Sequence, residues 1–153
     1  MAYHDDLLDQ ATHLARRDPN RPKQANLRRA ISTAYYALFH LLVSEAVSYW
    51  RLERQRALLS RSFEHRKMKN ACTNNKIQNA DIQYVAEAFV DLQQARNLAD
   101  YDSSKAWTKF EVMTHINTAG EAFLMWEIVK SQDSAQDFCF RCSRLIENNG
   151  GNR

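Results

Sequence analysis

Apolar positions recur at helical spacing along nearly the whole chain, and polar clusters mark where one helix gives way to the next. Leu7, Leu8, Ala11, Leu14 and Ala15 predict a first short helix. It ends before Asp18-Pro19-Asn20-Arg21-Pro22, the clearest loop signal in the sequence. A long helix follows from Gln24, with Leu27, Ala30, Ile31, Ala34, Leu38, Leu41 and Leu42 as a broad apolar stripe. Tyr35, Tyr36 and Phe39 thicken that stripe, and the pattern carries the helix past Trp50. From Arg51 to Lys76 the chain turns basic, with Phe63, Met68 and Cys72 predicting one short helix before a break at Asn74-Asn75. The next helix spans Asp81 to Ala99, with Ile82, Val85, Ala86, Phe89, Val90 and Leu92 on its apolar face. Ser103 or Ser104 is the expected N-cap of a fifth helix over Lys105–Lys130. Its expected core residues are Trp107, Phe110, Met113, Ala119, Phe123, Leu124 and Trp126. A last helix over Ser134–Glu147 uses Phe138, Leu145 and Ile146. The expectation is an all-α antiparallel bundle of about five helices with short connections.

Composition agrees. The chain has 153 residues, enough for one domain with a core of its own. It contains 3 Gly and 2 Pro, far too few for the turns of a β-rich protein of this length. The whole is therefore read as one domain, with a core over residues 5–130 and a C-terminal helix over 134–147. The net charge of +3 is only mildly basic. No apolar run approaches the roughly 18 residues of a membrane span. The acidic start, Met1 to Asp6, lacks the apolar stretch of a signal peptide. Three cysteines form no even framework of disulfides, so a reducing cytoplasm is the expected location.

Several residue groups carry candidate chemistry, each with a plainer alternative. His40 follows an apolar and aromatic run and reads first as a core or interface histidine, with a catalytic role as the alternative. Cys139 and Cys142 form a lone Cys-x-x-Cys; zinc would need two further ligands, and packing as small apolar groups is the simpler reading. Between Arg51 and Lys76, eight basic residues (Arg51, Arg54, Arg56, Arg61, Arg66, Lys67, Lys69, Lys76) face two acids (Glu53, Glu64). Such a stretch fits phosphate contacts, a solvated face or a subunit interface. His65 stands four residues after Arg61, so one helix would place both on one face, as a phosphodiester-binding pair or an incidental surface pair. Arg96-Asn97-Leu98-Ala99-Asp100-Tyr101 closes a helix with dense polar groups. Arg96 could grip a phosphate bidentately or pair with Asp100, and pattern alone leaves both open.

Two segments together resemble the HEPN family of small helical domains. They are Leu27-Arg28-Arg29-Ala30-Ile31-Ser32-Thr33-Ala34-Tyr35-Tyr36-Ala37-Leu38-Phe39-His40 and Ala95-Arg96-Asn97-Leu98-Ala99-Asp100-Tyr101-Asp102. The likeness extends over Leu7 to Lys130. It implies a bundle of four or five helices, usually a homodimer. It also implies binding of RNA or a nucleotide, and in active members metal-independent ribonuclease chemistry without a cofactor. A toxin-like or defence role is implied too, with a nucleotidyltransferase-type antitoxin as partner. The family motif is an arginine, often followed by a polar residue, with a histidine four to six residues further on. Arg96 and Asn97 match its start, and Tyr101 stands where the histidine would be or else matches the tyrosine that often follows it in toxin members; no histidine occurs between Arg96 and His115. The resemblance thus implies Arg96 and Tyr101 as catalytic candidates. Phosphate would be held by Arg96 and Asn97, with Arg61 and His65 of the basic stretch added. Tyrosine moves protons poorly near neutral pH, so His65 or His115 would have to substitute from another helix. The alternative function is a non-catalytic module that dimerises or docks a partner.

Overall fold

The computed structural model describes residues 2–74 and 77–143. The expected core positions Leu145 and Ile146, and the basic residue Lys76, lie outside the described residues. Within them the fold is entirely helical: α1 (Tyr3–Arg16), α2 (Gln24–Ser48), α3 (Glu53–Ser60), α4 (His65–Cys72), α5 (Ala80–Tyr101), α6 (Lys109–Val129) and α7 (Asp133–Cys142).

The long helices form the core. α2 and α6 pack directly on each other, and both α1 and α5 pack on that pair. Side-chain contacts fix the directions. Gln24 on α2 exchanges hydrogen bonds with the Trp107 backbone, and the Tyr49 hydroxyl donates to the Lys130 carbonyl, so α2 and α6 run parallel. Tyr3 meets His40, and His4 meets Phe123, so α1 runs opposite to both. Arg28 reaches the end of α5, which is likewise antiparallel to α2. The up-down-up-down order is that of a four-helix bundle. α3, α4 and α7 close over its flank, with α4 and α7 packed on each other.

α2 is the central element. Leu27, Ala30, Ile31, Ala34, Tyr35, Leu38 and Leu42 are all buried. The helix meets the length and hydropathy of a membrane-crossing segment, contrary to the sequence expectation. Its apolar window is 67% buried inside the bundle, so packing already occupies that surface.

Local chemistry moves several boundaries. α2 stops at Ser48 rather than continuing past Trp50, because the chain turns there. Arg56 Nε donates to the Trp50 carbonyl at 2.9 Å, and Trp50 Nε1 donates to Gln55 Oε1 at 2.8 Å. The basic stretch holds two short helices instead of one, broken at 61–64 where Phe63 buries its ring. Ser103 and Ser104 do not cap α6. Asp102 Oδ1 accepts from the amide and hydroxyl of Ser104, which closes a turn instead. The cap is Thr108, in a reciprocal capping box with Glu111. Asn79 caps α5 through the amides of Asp81 and Ile82.

Two expected core residues face outward: Phe110 is 83% exposed and Leu124 is 66% exposed. α6 is apolar around most of its circumference, so spacing alone selects no face. Val112, Ile116, Ala119, Ala122, Trp126 and Val129 form the buried stripe, and Phe110 and Leu124 fall on the opposite one.

Candidate functional site

Positions 28, 32, 36 and 40 of α2 are four residues apart and fall on one stripe. Their side chains are polar: Arg28, Ser32, Tyr36 and His40. This stripe meets the C-terminal turns of α5, so the two segments that carry the family resemblance lie against each other.

Arg28 opens the series. Its guanidinium donates to the carbonyls of Ala99 (2.9 Å), Asp102 (2.8 Å) and Lys105 (2.6 Å). Those carbonyls end α5 and begin the turn to α6, where the helix leaves acceptors unfilled and the dipole favours a cation. One turn on, the Ser32 hydroxyl donates to Asp100 Oδ2 at 3.3 Å. Another turn on, the Tyr36 hydroxyl accepts from Arg96 at 2.9 Å.

Arg96 sits at the centre. Its side chain is only 15% exposed and lies 3.1 Å through Nε from Asp100 Oδ2. The N–H vector misses that oxygen, so buried Nε has an ion-pair partner without a formed hydrogen bond. A second nitrogen donates to Asn97 Oδ1 at 3.3 Å. The guanidinium carbon lies 5.6, 5.4 and 5.9 Å from the ring centres of Tyr35, Tyr36 and Tyr101. Tyr101 is 77% exposed and forms the outer wall. Asn97 is also exposed. Of the two readings open in the sequence, the ion pair with Asp100 is therefore present.

His65 joins the same cluster from α4. Its ring stacks on Phe39 at 4.5 Å between centres and stands edge-on to Tyr36 at 5.8 Å. Nδ1 is 2.5 Å from the Tyr35 hydroxyl. Burial pushes the Tyr35 hydroxyl far above its ordinary range, so it stays protonated and able to donate. Burial, then the Arg96 charge, then His40 hold His65 below its ordinary value. The imidazole is thus neutral at pH 7.

Arg61 does not join it. The break at 61–64 leaves Arg61 exposed just after α3 and His65 at the start of α4, so the expected shared face does not exist. His115 lies on another face, its ring 6.0 Å from Trp107 in a groove with Asp91, Lys105 and Glu111. Sequence reasoning offered Asp100 as a partner of Arg96 and missed Tyr36 and Ser32 as parts of the same assembly. The four-residue spacing of Arg28, Ser32, Tyr36 and His40 signals that they share a face of α2, not what that face meets.

His40, His65 and His115 are all held below their ordinary value, in each case chiefly by burial. The unfolded chain, with histidines near 6.5, then binds more protons than the folded one once the pH drops. Stability is full above about 6.5 and declines as pH falls below it. Urea midpoints at pH 8 and pH 5.5 check this: a clearly lower midpoint at pH 5.5, reduced in a His65→Gln variant, is expected. Equal midpoints would contradict it.

The cysteines pack as small buried groups. Cys72, Cys139 and Cys142 are all free and buried, with the Cys142 thiol hydrogen-bonded to Cys72. Among the described residues no group of three or more His, Cys, Asp and Glu side chains is arranged to hold a metal ion.

Compared with known proteins, the chain matches no family model, no curated protein and no solved structure.

Proposed function

We propose that this chain is a HEPN-type domain that binds RNA through phosphate, with the cluster around Arg96 as its contact site. The observation that carries this reading is the meeting of Arg96 and His65 at one tyrosine pair. They come from α5 and α4, and Arg96 lies over the Tyr36 ring while His65 meets its edge. The resemblance asks for an arginine and a histidine near each other, and His65 supplies from another helix what the Arg96 segment lacks. Tyr101 and Asn97 form the exposed rim that RNA would meet first. Tyr101 is then a stacking surface, not a proton carrier.

Where turnover occurs, the reaction is metal-independent. With Nδ1–H directed at the Tyr35 hydroxyl oxygen, Nε2 of neutral His65 would take the proton of a 2′-hydroxyl as its oxygen attacks phosphorus, and the 5′-oxygen leaves with a proton from solvent. Arg96 would offset the charge that builds on the phosphate oxygens.

The test is a titration of labelled transfer RNA and single-stranded RNA at several salt concentrations, with gel analysis of cleavage in the presence of a chelator. Affinity should fall linearly with salt on logarithmic axes, because each neutralised phosphate releases counterions. Absence of binding by the intact protein at low salt would remove this reading.

A second reading is a non-catalytic module that forms a homodimer or docks a partner protein. The observation favouring it is that Asp100 already answers the Arg96 charge. Leu98, Tyr101, Phe110, Leu124 and Ile128 also leave large apolar side chains in solvent on α5 and α6. A stable dimer by light scattering at tens of micromolar, without RNA affinity, is its signature.

A further inference from the structure

The polar stripe of α2 continues beyond the Arg96 cluster. One turn past His40 comes Ser44, which opens onto a groove of about 390 Å³ between the start of α1, the second half of α2, and α3. His4, His40, Ser44, Arg56 and Ser60 supply its polar lining.

Four features suit this groove to an anion. Arg56 uses Nε for the Trp50 carbonyl, and its terminal nitrogens make no bond within the described residues. No side chain caps α1; the Asp5 and Asp6 amides bond the Ala2 carbonyl, which leaves those of Tyr3 and His4 beside the groove. The exposed arginines 51, 54, 61 and 66 of the neighbouring basic stretch add a positive field. The Ser44 hydroxyl can donate, whereas that of Ser60 is spent on the Ala57 carbonyl at 2.7 Å. The opposing charges are Asp5 and Asp6 in the first turn of α1, and a phosphate would compete with Asp5, 3.8 Å from His4 Nε2, for that imidazole.

We propose that single-stranded RNA lies along α2, with one phosphate at Arg96 and another in the His4–His40–Arg56 groove. This rests on the RNA-binding reading above and extends it to the form of the ligand. Tyr36 and Ser44 are about 12 Å apart along the helix axis at 1.5 Å per residue, too far for one phosphate and suited to two non-adjacent phosphates of one strand. Each end also carries an exposed aromatic ring beside an arginine. Tyr101 is 77% exposed next to Arg96, and Tyr3 is 62% exposed and lines the groove with Arg56. Cations tracking a backbone between open aromatic faces are the arrangement that holds unpaired bases. A duplex keeps its bases stacked inside and leaves both rings unused.

The experiment is fluorescence anisotropy with a labelled ten-nucleotide single-stranded RNA and the same sequence as a duplex. It uses the full chain and three variants, each checked for helicity by circular dichroism. His4→Gln/Arg56→Gln removes the groove's guanidinium and one of its imidazoles, and Ser44→Glu places a like charge in it. Lys109→Gln removes a cation at the opposite end of α2. The first two should weaken single-strand binding about tenfold and make the salt slope shallower by about one phosphate. Lys109→Gln should bind as the parent does, and the duplex should bind more weakly. If the groove variants match the parent, if Lys109→Gln falls equally, or if the duplex binds as well, the path along α2 is wrong while RNA binding stands. If the parent binds neither RNA, both proposals fail.

Discussion

Replacing Arg28 with methionine is expected to lower stability by about 3 kcal/mol and the melting temperature by about 10 °C. Methionine keeps the helix propensity and much of the aliphatic volume of arginine, so the loss isolates the guanidinium. That group fills three carbonyls at 2.6–2.9 Å, across the last turn of α5 and the turn into α6. Hydrogen bonds to a charged group contribute about 1.5–3 kcal/mol each. Arg28 is only partly buried, so water recovers a share of the sum. A domain of this length loses about 2–4 °C per kcal/mol. Arg28→Lys should rescue little, because one ammonium cannot span three acceptors that a planar fork reaches together. A melting temperature within two degrees of the parent would show that these bonds are replaced by solvent without cost.

Truncating Arg96 to alanine is expected to cost about 2–3 kcal/mol. Removing one partner of a largely buried pair leaves the other charge uncompensated, at about 3–5 kcal/mol when fully buried. The value is reduced here because the Asp100 side chain is 25% exposed. The bond to Tyr36 and the ring contacts go with it. Coupling is the sharper check. Arg96→Ala/Asp100→Ala should be less damaging than the sum of the single changes by about 1 kcal/mol or more, since the groups touch. Urea denaturation of the four proteins measures it. Unchanged stability in Arg96→Ala with abolished RNA affinity would instead make Arg96 a free ligand group, held in place by nothing it supports.

The sequence made the helices of the core legible because their apolar residues are spaced for burial on one side. α2 shows this best, with Leu27, Ile31, Ala34, Leu38 and Leu42 all buried as their periodicity requires. The same reasoning lost Phe110 and Leu124, since α6 is apolar on too many sides for spacing to select a face. Caps were legible in kind and misplaced by position. Ser103 and Ser104 had the right chemistry, yet Thr108 alone has glutamate three residues on to complete the box. At the candidate site, Arg96 and Asn97 stood out by motif. Their association with Tyr36 and Ser32, sixty or more residues away, depends on how two helices are rotated against each other, and local spacing carries no such information. His65 was visible but assigned the wrong neighbour. Burial of Phe63 breaks the helix before it and turns the imidazole toward Tyr35 and Phe39 instead of Arg61.

The three thiols between α4 and α7 give the molecule a chemical clock. Burial raises the Cys139 thiol, and the hydrogen bond to Cys72 followed by burial raises the Cys142 thiol, far above the ordinary range, and a thiol reacts as its thiolate. Labelling by an alkylating reagent must therefore wait for α7 to lift away from α4. Its rate counts partial openings of that corner separately from unfolding of the whole bundle.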